Sequence, residues 1–104
     1  MNRQEHLLTI LGEECSELHQ AVSKTLRFGI DSTYDNGVSN LEQMQKEFND
    51  LLGMIEMLND YYESNHGDKI FSTDFDLIDA KRKKVELYLL FSDECGTLNA
   101  DKAA

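Results

Sequence analysis

The sequence predicts an all-α protein, a small helical bundle, and three observations support this. Apolar residues recur at intervals of three and four over three long segments, which is typical of amphipathic helices. The alternation of polar and apolar residues that marks a strand is absent, and the chain has no proline to interrupt a helix. Its 104 residues suffice for one domain, which we place at residues 1–96, followed by a flexible C-terminal tail over residues 97–104.

The first predicted helix covers residues 3–27. Leu7, Leu11 and Leu18 recur at helical spacing and define its apolar stripe. Gly29 is expected to end the helix, because glycine readily adopts the backbone conformation that follows a last helical turn.

The second predicted helix follows a turn-rich loop over residues 29–38. Ser39 with Glu42 three positions later forms a capping-box pattern, in which each side chain satisfies a free backbone donor of the other residue. We expect the helix to run from this cap to about Glu63, before the polar segment that contains Gly67.

The third predicted helix begins at a similar pattern, Thr73 followed by Asp76. It carries apolar residues at helical spacing, among them Leu77 and Tyr88, and is expected to end near Phe91. No linker, internal repeat or low-complexity tract divides the chain, which again favours a single domain.

The charge of the chain excludes some classes of function. Acidic residues outnumber basic residues by 20 to 10, giving a formal net charge of −10, whereas nucleic-acid-binding proteins need clustered Lys and Arg. The apolar runs are too short to span a bilayer, and the first residues lack the pattern of a signal peptide. We therefore expect a cytoplasmic protein with no nucleic-acid or membrane partner. Cys15 and Cys95 are expected to be reduced thiols, and a disulfide between them is the alternative.

Two acidic pairs fall on the apolar sides of the first two helices. At about 100° per residue, Glu14 lies in the middle of the apolar stripe of the first helix and Glu17 at its edge, while Glu13 lies further out. The second helix repeats this arrangement with Glu47 in its stripe and Asp50 at the edge. Each helix can therefore offer two carboxylates, three residues apart, to one point.

Buried carboxylates without a partner are costly, so a shared partner is expected between the two pairs. A hard divalent cation fits best, because Mg²⁺, with Mn²⁺ as a possible substitute, prefers carboxylate oxygen to nitrogen or sulfur. The alternative from the residues alone is an acidic helical interaction module, in which the acids are partly solvated or paired with lysines.

Basic residues could complement this site. Lys81 and Lys84 fall on the inward side of the third helix, and Lys24 and Arg27 lie near the end of the first. Next to a cluster of carboxylates and a metal ion, such residues suit a polyphosphate substrate. Alternatively, the two lysines of the third helix extend to solvent or pair with acids, and the other two residues interact with the dipole of the first helix.

The acidic motifs resemble those of the MazG-like all-α nucleoside triphosphate pyrophosphohydrolases, a superfamily related to the dimeric dUTPases. The family pattern, EExxE followed by ExxD, is read here as EECSE at residues 13–17 and EFND at residues 47–50. The segment DLIDAKRKKVELYL, residues 76–89, resembles the lysine-bearing helix of the family, and QAVSKTLRFG, residues 20–29, resembles small phage and bacterial members.

The resemblance implies a Mg²⁺-dependent enzyme of nucleotide-pool control, in a bacterial or phage-infected cytoplasm, that cleaves a nucleoside triphosphate to a monophosphate and pyrophosphate. It also implies assembly as a homodimer or homotetramer, a dimer of dimers. The implied roles are metal binding by Glu14, Glu17, Glu47 and Asp50, catalysis by Glu13, and substrate binding by Lys81 and Lys84, with Lys24 and Arg27 as possible further contacts.

Several alternatives share or replace this chemistry. A dUTPase-like enzyme and a phosphoribosyl-ATP pyrophosphohydrolase would use the same acidic motifs. A di-iron bundle needs two ExxH motifs, whereas the chain offers Glu63 and His66 alone, and the spacing in residues 31–37 does not fit an EF-hand. Cys15 is interpreted as a small core residue rather than a nucleophile.

Overall fold

The computed structural model describes residues 1–33 and 37–99, and within these ranges it is all-α, as the sequence predicts. The three helices are α1 (Arg3–Phe28), α2 (Asn40–His66) and α3 (Phe75–Glu94). Of the predicted loop and tail, residues 34–36 and 100–104 lie outside the described residues. No helix in the described part of the chain is long and apolar enough to cross a membrane.

The ends of α1 and α2 follow local capping chemistry. The Ser39 hydroxyl caps α2 as predicted, because it accepts a hydrogen bond from the Glu42 backbone N–H at 3.1 Å. The helix continues past the predicted end at Glu63, because Gly67 adopts a left-handed backbone (φ 79°) and donates its N–H to the Glu63 carbonyl at 2.8 Å. Gly29 ends α1 as expected, with its N–H donated to the carbonyl of Thr25 at 2.9 Å.

The predicted cap of α3 is wrong by one residue. Asp74, not Thr73, caps this helix, and its Oδ1 accepts from the backbone N–H groups of Asp76 at 2.9 Å and Leu77 at 3.1 Å. A carboxylate at this position accepts from two backbone N–H groups at the helix start and interacts favourably with the helix dipole, which explains why Asp74 rather than Thr73 is the cap. The helix ends at Glu94, beyond the predicted end at Phe91.

The chain divides into two compact units, residues 1–71 and a second unit that starts at Ser72. In the first unit α1 and α2 pack against each other in antiparallel orientation. The start of α1 lies near the end of α2, where the Arg3 guanidinium is 5.9 Å from the centre of the Tyr61 ring. The buried apolar residues described in this unit are Leu7, Ala21 and Leu58.

Asn40 joins the end of α1 to the start of α2. Its side chain is 7% exposed, and its Nδ2 donates to the carbonyl of Gly29 at 2.8 Å. Its backbone N–H donates to the carbonyl of Ser32 at 2.8 Å, and the next N–H, from Leu41, donates to Ile30 at 3.0 Å. These bonds hold the connection against both helices and so help to set which residues of α1 face which residues of α2.

In the second unit, α3 has no buried residue. Its most exposed apolar side chains, each more than 60% accessible, are Phe75, Leu77, Leu87, Leu90 and Phe91. Most of the stability of a helix in a protein comes from packing of its apolar face, so this exposed apolar surface contributes little to the stability of α3.

Candidate metal centre

Three of the predicted ligands lie together in the first unit. Glu14 of α1 and Glu47 and Asp50 of α2 each contribute a carboxylate oxygen, and these three oxygens lie within 4.8 Å of one another. The antiparallel packing of the two helices places the middle of α1 against this part of α2. We refer to Glu14, Glu47 and Asp50 as the carboxylate cluster.

The cluster is formed by side chains that are partly removed from water. Glu47 is only 5% exposed, which is unusual for a charged residue, and its Oε1 accepts a hydrogen bond from Gln43 Nε2 at 2.7 Å. Glu14 is half-buried, and its Oε2 is buried without a hydrogen-bond partner among the described residues. A buried, unpartnered oxygen is destabilising, so a ligand at this position would relieve a local cost.

The electrostatic environment disfavours three negative charges. Burial raises the pKa of Glu14 above its ordinary value, and the nearby carboxylates of Asp50, Glu47 and Glu17 raise it further, whereas Lys46 lowers it. The Lys46 ammonium lies 2.7 Å from Asp50 Oδ2 and 3.8 Å from Glu47 Oε1.

An open groove of about 510 Å³ begins at the cluster. Its walls combine carboxylates with the apolar side chains of two methionines, and it contains no basic side chain; it is lined by Glu14, Asn49, Asp50, Gly53, Met54, Glu56, Met57 and Asp60. A second groove of about 340 Å³ shares Met57 and Asp60 with it and reaches Arg3 and Tyr61. The groove wall is strongly negative, so an anionic ligand needs cations to enter it.

Other predicted site residues of α1 lie outside the cluster. Glu13 and Glu17 are exposed, although Glu17 is close enough to Glu14 to raise its pKa. Lys24 and Arg27 are exposed near the end of α1, and at 1.5 Å per residue they lie about 15–20 Å along the helix from Glu14. Fourth-ligand, catalytic and substrate-binding roles for these residues stay predictions.

Lys81 and Lys84 belong to α3 and therefore to the second unit. Both are exposed, and the Lys84 ammonium lies 5.8 Å from the centre of the Tyr88 ring on the next turn. The sequence pattern placed both residues on the inward side of the helix, whereas no residue of α3 is buried. Their predicted contact with a diphosphate stays a prediction.

Two neighbours of the cluster lie outside the predicted site, and the core position predicted for Cys15 is wrong. Lys46 and Gln43 each lie four residues before the acid that they contact, Asp50 and Glu47, and this spacing on a helix is a readable signal for such pairs. Cys15 is exposed rather than part of the core, because its position on α1 is not covered by α2.

Comparison of the chain with protein-family models, with curated proteins and with solved structures finds no match. The residues and their geometry therefore carry the functional argument.

Proposed function

We propose that the protein is a Mg²⁺-dependent nucleoside triphosphate pyrophosphohydrolase, which converts a nucleoside triphosphate to the monophosphate and pyrophosphate. The observation that supports this most directly is the carboxylate cluster, in which oxygens of Glu14, Glu47 and Asp50 from two helices lie within 4.8 Å. A cytoplasmic role in nucleotide-pool control, in a bacterial cell or a phage-infected host, is part of the proposal.

The residues present fit a hard divalent cation. All three donors are carboxylates, which Mg²⁺ and Mn²⁺ prefer, and the unpartnered Oε2 of Glu14 offers a ligand atom that no protein donor satisfies in the described part of the chain. Glu14, Glu47 and Asp50 would hold the ion, with Glu17 as the predicted fourth ligand. A bound ion would supply charge neutralisation at the phosphate oxygens and a water of lowered pKa.

The chain's own residues would then bind the substrate and move a proton. The resemblance to the MazG-like enzymes implies that the carboxylate of Glu13, which is exposed and precedes a proposed ligand, would orient the attacking water and accept its proton. Lys24, Arg27, Lys81 and Lys84 would attract phosphate oxygens to a chain that is otherwise strongly acidic. Attack at the α-phosphorus is inferred from the resemblance of the acidic motifs to the MazG-like enzymes.

The proposal is tested by product analysis. The full chain is incubated with Mg²⁺ and a panel of canonical and modified nucleotides that includes dUTP and phosphoribosyl-ATP, and the products are separated by chromatography. Monophosphate and pyrophosphate are expected, and the preferred substrate distinguishes a dUTPase-like or phosphoribosyl-ATP pyrophosphohydrolase activity. Diphosphate and orthophosphate would contradict the cleavage position.

A matched pair of variants tests the assignment of the ligands. Glu47→Gln should abolish turnover, since it removes a buried negative charge from the cluster, whereas Glu63→Gln makes the same change at an exposed position of the same helix. Circular dichroism should give equal helical content for both variants. Turnover by Glu47→Gln at the rate of the unaltered protein would show that the cluster does not hold the catalytic ion.

The second candidate is a non-catalytic acidic interaction module. It is favoured by the ion pair that Lys46 forms with Asp50, which partly neutralises the cluster without a metal ion, and by the exposure of Glu13 and Glu17. A melting temperature that is unchanged by Mg²⁺, Mn²⁺ or chelator, together with no turnover of any nucleotide, would support this function instead.

The proposal includes assembly as a homodimer or homotetramer. Its support is the exposed apolar surface of each unit, such as Phe91 of α3 at 64% and Phe48 of α2 at 50%. Light scattering coupled to gel filtration should give a mass two or four times the 11.9 kDa of the chain. A mass of one chain at all concentrations would contradict this part of the proposal.

A further inference from the structure

We infer that Lys46 is an internal counter-cation of the carboxylate cluster and competes with a divalent cation for Asp50, so that it weakens and thereby sets the affinity of the site. This inference rests on the proposed role of the cluster in metal binding. It assigns a function to a residue that lies outside the acidic motifs.

Among the described residues, the hydrogen bond and ion pairs of Lys46 are with acids of its own helix. Its ammonium donates a hydrogen bond to Asp50 Oδ2 at 2.7 Å and lies 3.8 Å from Glu47 Oε1. The Oε2 of Glu14, on the opposite helix, has no hydrogen-bond partner among the described residues. Lys46 therefore bonds to the α2 side of the cluster, and its charge lowers the pKa of Glu14 without giving Glu14 Oε2 a hydrogen bond, whereas an ion between the helices could contact carboxylates of both.

Lys46 can also leave the cluster at little cost. Its side chain is 63% exposed, and it reaches Asp50 across one helical turn at the outer edge of the cluster. Ion pairs of this kind are weak, because water solvates both groups nearly as well and the long lysine side chain loses conformational freedom in the pair. A divalent ion that contacts three carboxylates would thus displace the ammonium rather than be excluded by it.

Lys46 weakens the binding of a divalent ion in two ways. Binding of a divalent ion must first break the ion pair with Asp50, and afterwards the ammonium still repels the ion across a solvent-screened distance. Removal of the charge removes both effects. We expect cation affinity to rise about two- to fivefold on substitution of Lys46 by a neutral residue, given the small strength of exposed ion pairs.

The test measures Mn²⁺ binding without nucleotide, by electron paramagnetic resonance of the free ion, with the full chain. Lys46→Met keeps an unbranched side chain of helix-forming type and removes its charge, and Lys46→Gln serves as a second variant. Lys83→Met is the matched control, because Lys83 also forms an exposed ion pair one turn away, at 3.0 Å from Asp79 Oδ2, on α3. Both Lys46 variants should bind Mn²⁺ more tightly, and Lys83→Met should bind it as the unaltered protein does.

The outcomes separate this inference from the proposed function. Equal or weaker Mn²⁺ binding by both Lys46 variants overturns the inference, even where the unaltered protein hydrolyses nucleotides. Tighter binding by both variants without hydrolysis of any nucleotide supports the inference and removes the enzymatic proposal. Absence of Mn²⁺ binding in all three lysine variants and in the unaltered protein overturns both.

Discussion

Replacement of Asn40 by alanine tests the connection that aligns α1 with α2. Asn40 is only 7% exposed to solvent. Its Nδ2 donates to the Gly29 carbonyl at 2.8 Å and, more weakly, to the Lys24 carbonyl at 3.5 Å. Loss of one good buried hydrogen bond costs about 1 kcal/mol, and the space and poorly satisfied carbonyl left behind add a similar amount. We therefore expect Asn40→Ala to lower the free energy of unfolding by about 2 kcal/mol.

Urea unfolding followed by circular dichroism measures this loss. With a urea dependence of about 1–3 kcal/mol per molar, the midpoint should fall by roughly 1–2 M. Asn65→Ala is the control, because the Nδ2 of Asn65 donates at 2.7 Å to the Tyr61 carbonyl within α2 and the residue is exposed. Its effect should stay within about 0.5 kcal/mol. An equally small change for Asn40→Ala would refute the view that this side chain holds the two helices in register.

Three further outcomes follow from the contacts of the first unit. Burial, with the charges of Asp50 and Glu47, raises the pKa of Glu14 above 4.5, so the folded protein binds more protons than the unfolded chain between pH 4.5 and that raised pKa. The free energy of unfolding of the metal-free protein should therefore fall as pH rises through this window. The urea midpoint should depend less on pH for Glu14→Gln than for the unaltered protein. An identical pH dependence would contradict the raised pKa of Glu14 as its cause. Mn²⁺ at a free concentration a hundred times its dissociation constant should add about 2.7 kcal/mol to the free energy of unfolding and raise the melting temperature by about 10 °C or more. An unchanged melting temperature would contradict cation binding by the folded state. Asn59 donates to the Phe71 carbonyl at 3.0 Å and accepts from the Phe71 N–H at 2.8 Å. Asn59→Asp loses the donor and should lower the free energy of unfolding in urea by about 1 kcal/mol. An unchanged urea midpoint would show that this pair of hydrogen bonds is not stabilising.

The helices and one half of the site could be predicted because they depend on local spacing. Periodicity located all three helices to within a few residues, and the Ser39 cap follows from side chains three positions apart. The helical positions of Glu14 and Glu47 placed both in apolar stripes, and helices that bury these stripes against each other must bring the two acids together. The three-residue spacing of Asp50 from Glu47 then adds the third oxygen.

The remaining features depend on which neighbour covers each residue, which periodicity does not specify. Glu17 lies three residues from Glu14, just as Asp50 does from Glu47, yet it is exposed and outside the set of three oxygens. Cys15 is exposed for a similar reason. The strip of α1 that contacts α2 is narrower than the apolar face that periodicity assigns to α1. The side-chain bonds of Asn40 join residues 11 or more positions apart and have no local sequence pattern.

The substitution Glu14→Gln distinguishes a cation site from a solvated acidic surface, because the two predict different changes in stability without metal and with metal. If Glu14 is held against Glu47 and Asp50 with a buried, unpartnered oxygen, then Glu14→Gln should stabilise the metal-free protein at neutral pH, because it removes repulsion, and it should also abolish most of the gain in stability from Mn²⁺. Acids that are freely solvated would give neither effect, since water already screens their charges. An acid whose role is structural would give a loss of stability under both conditions. The combination of a gain without metal and a loss with metal is therefore specific to carboxylates that are kept close together for a cation.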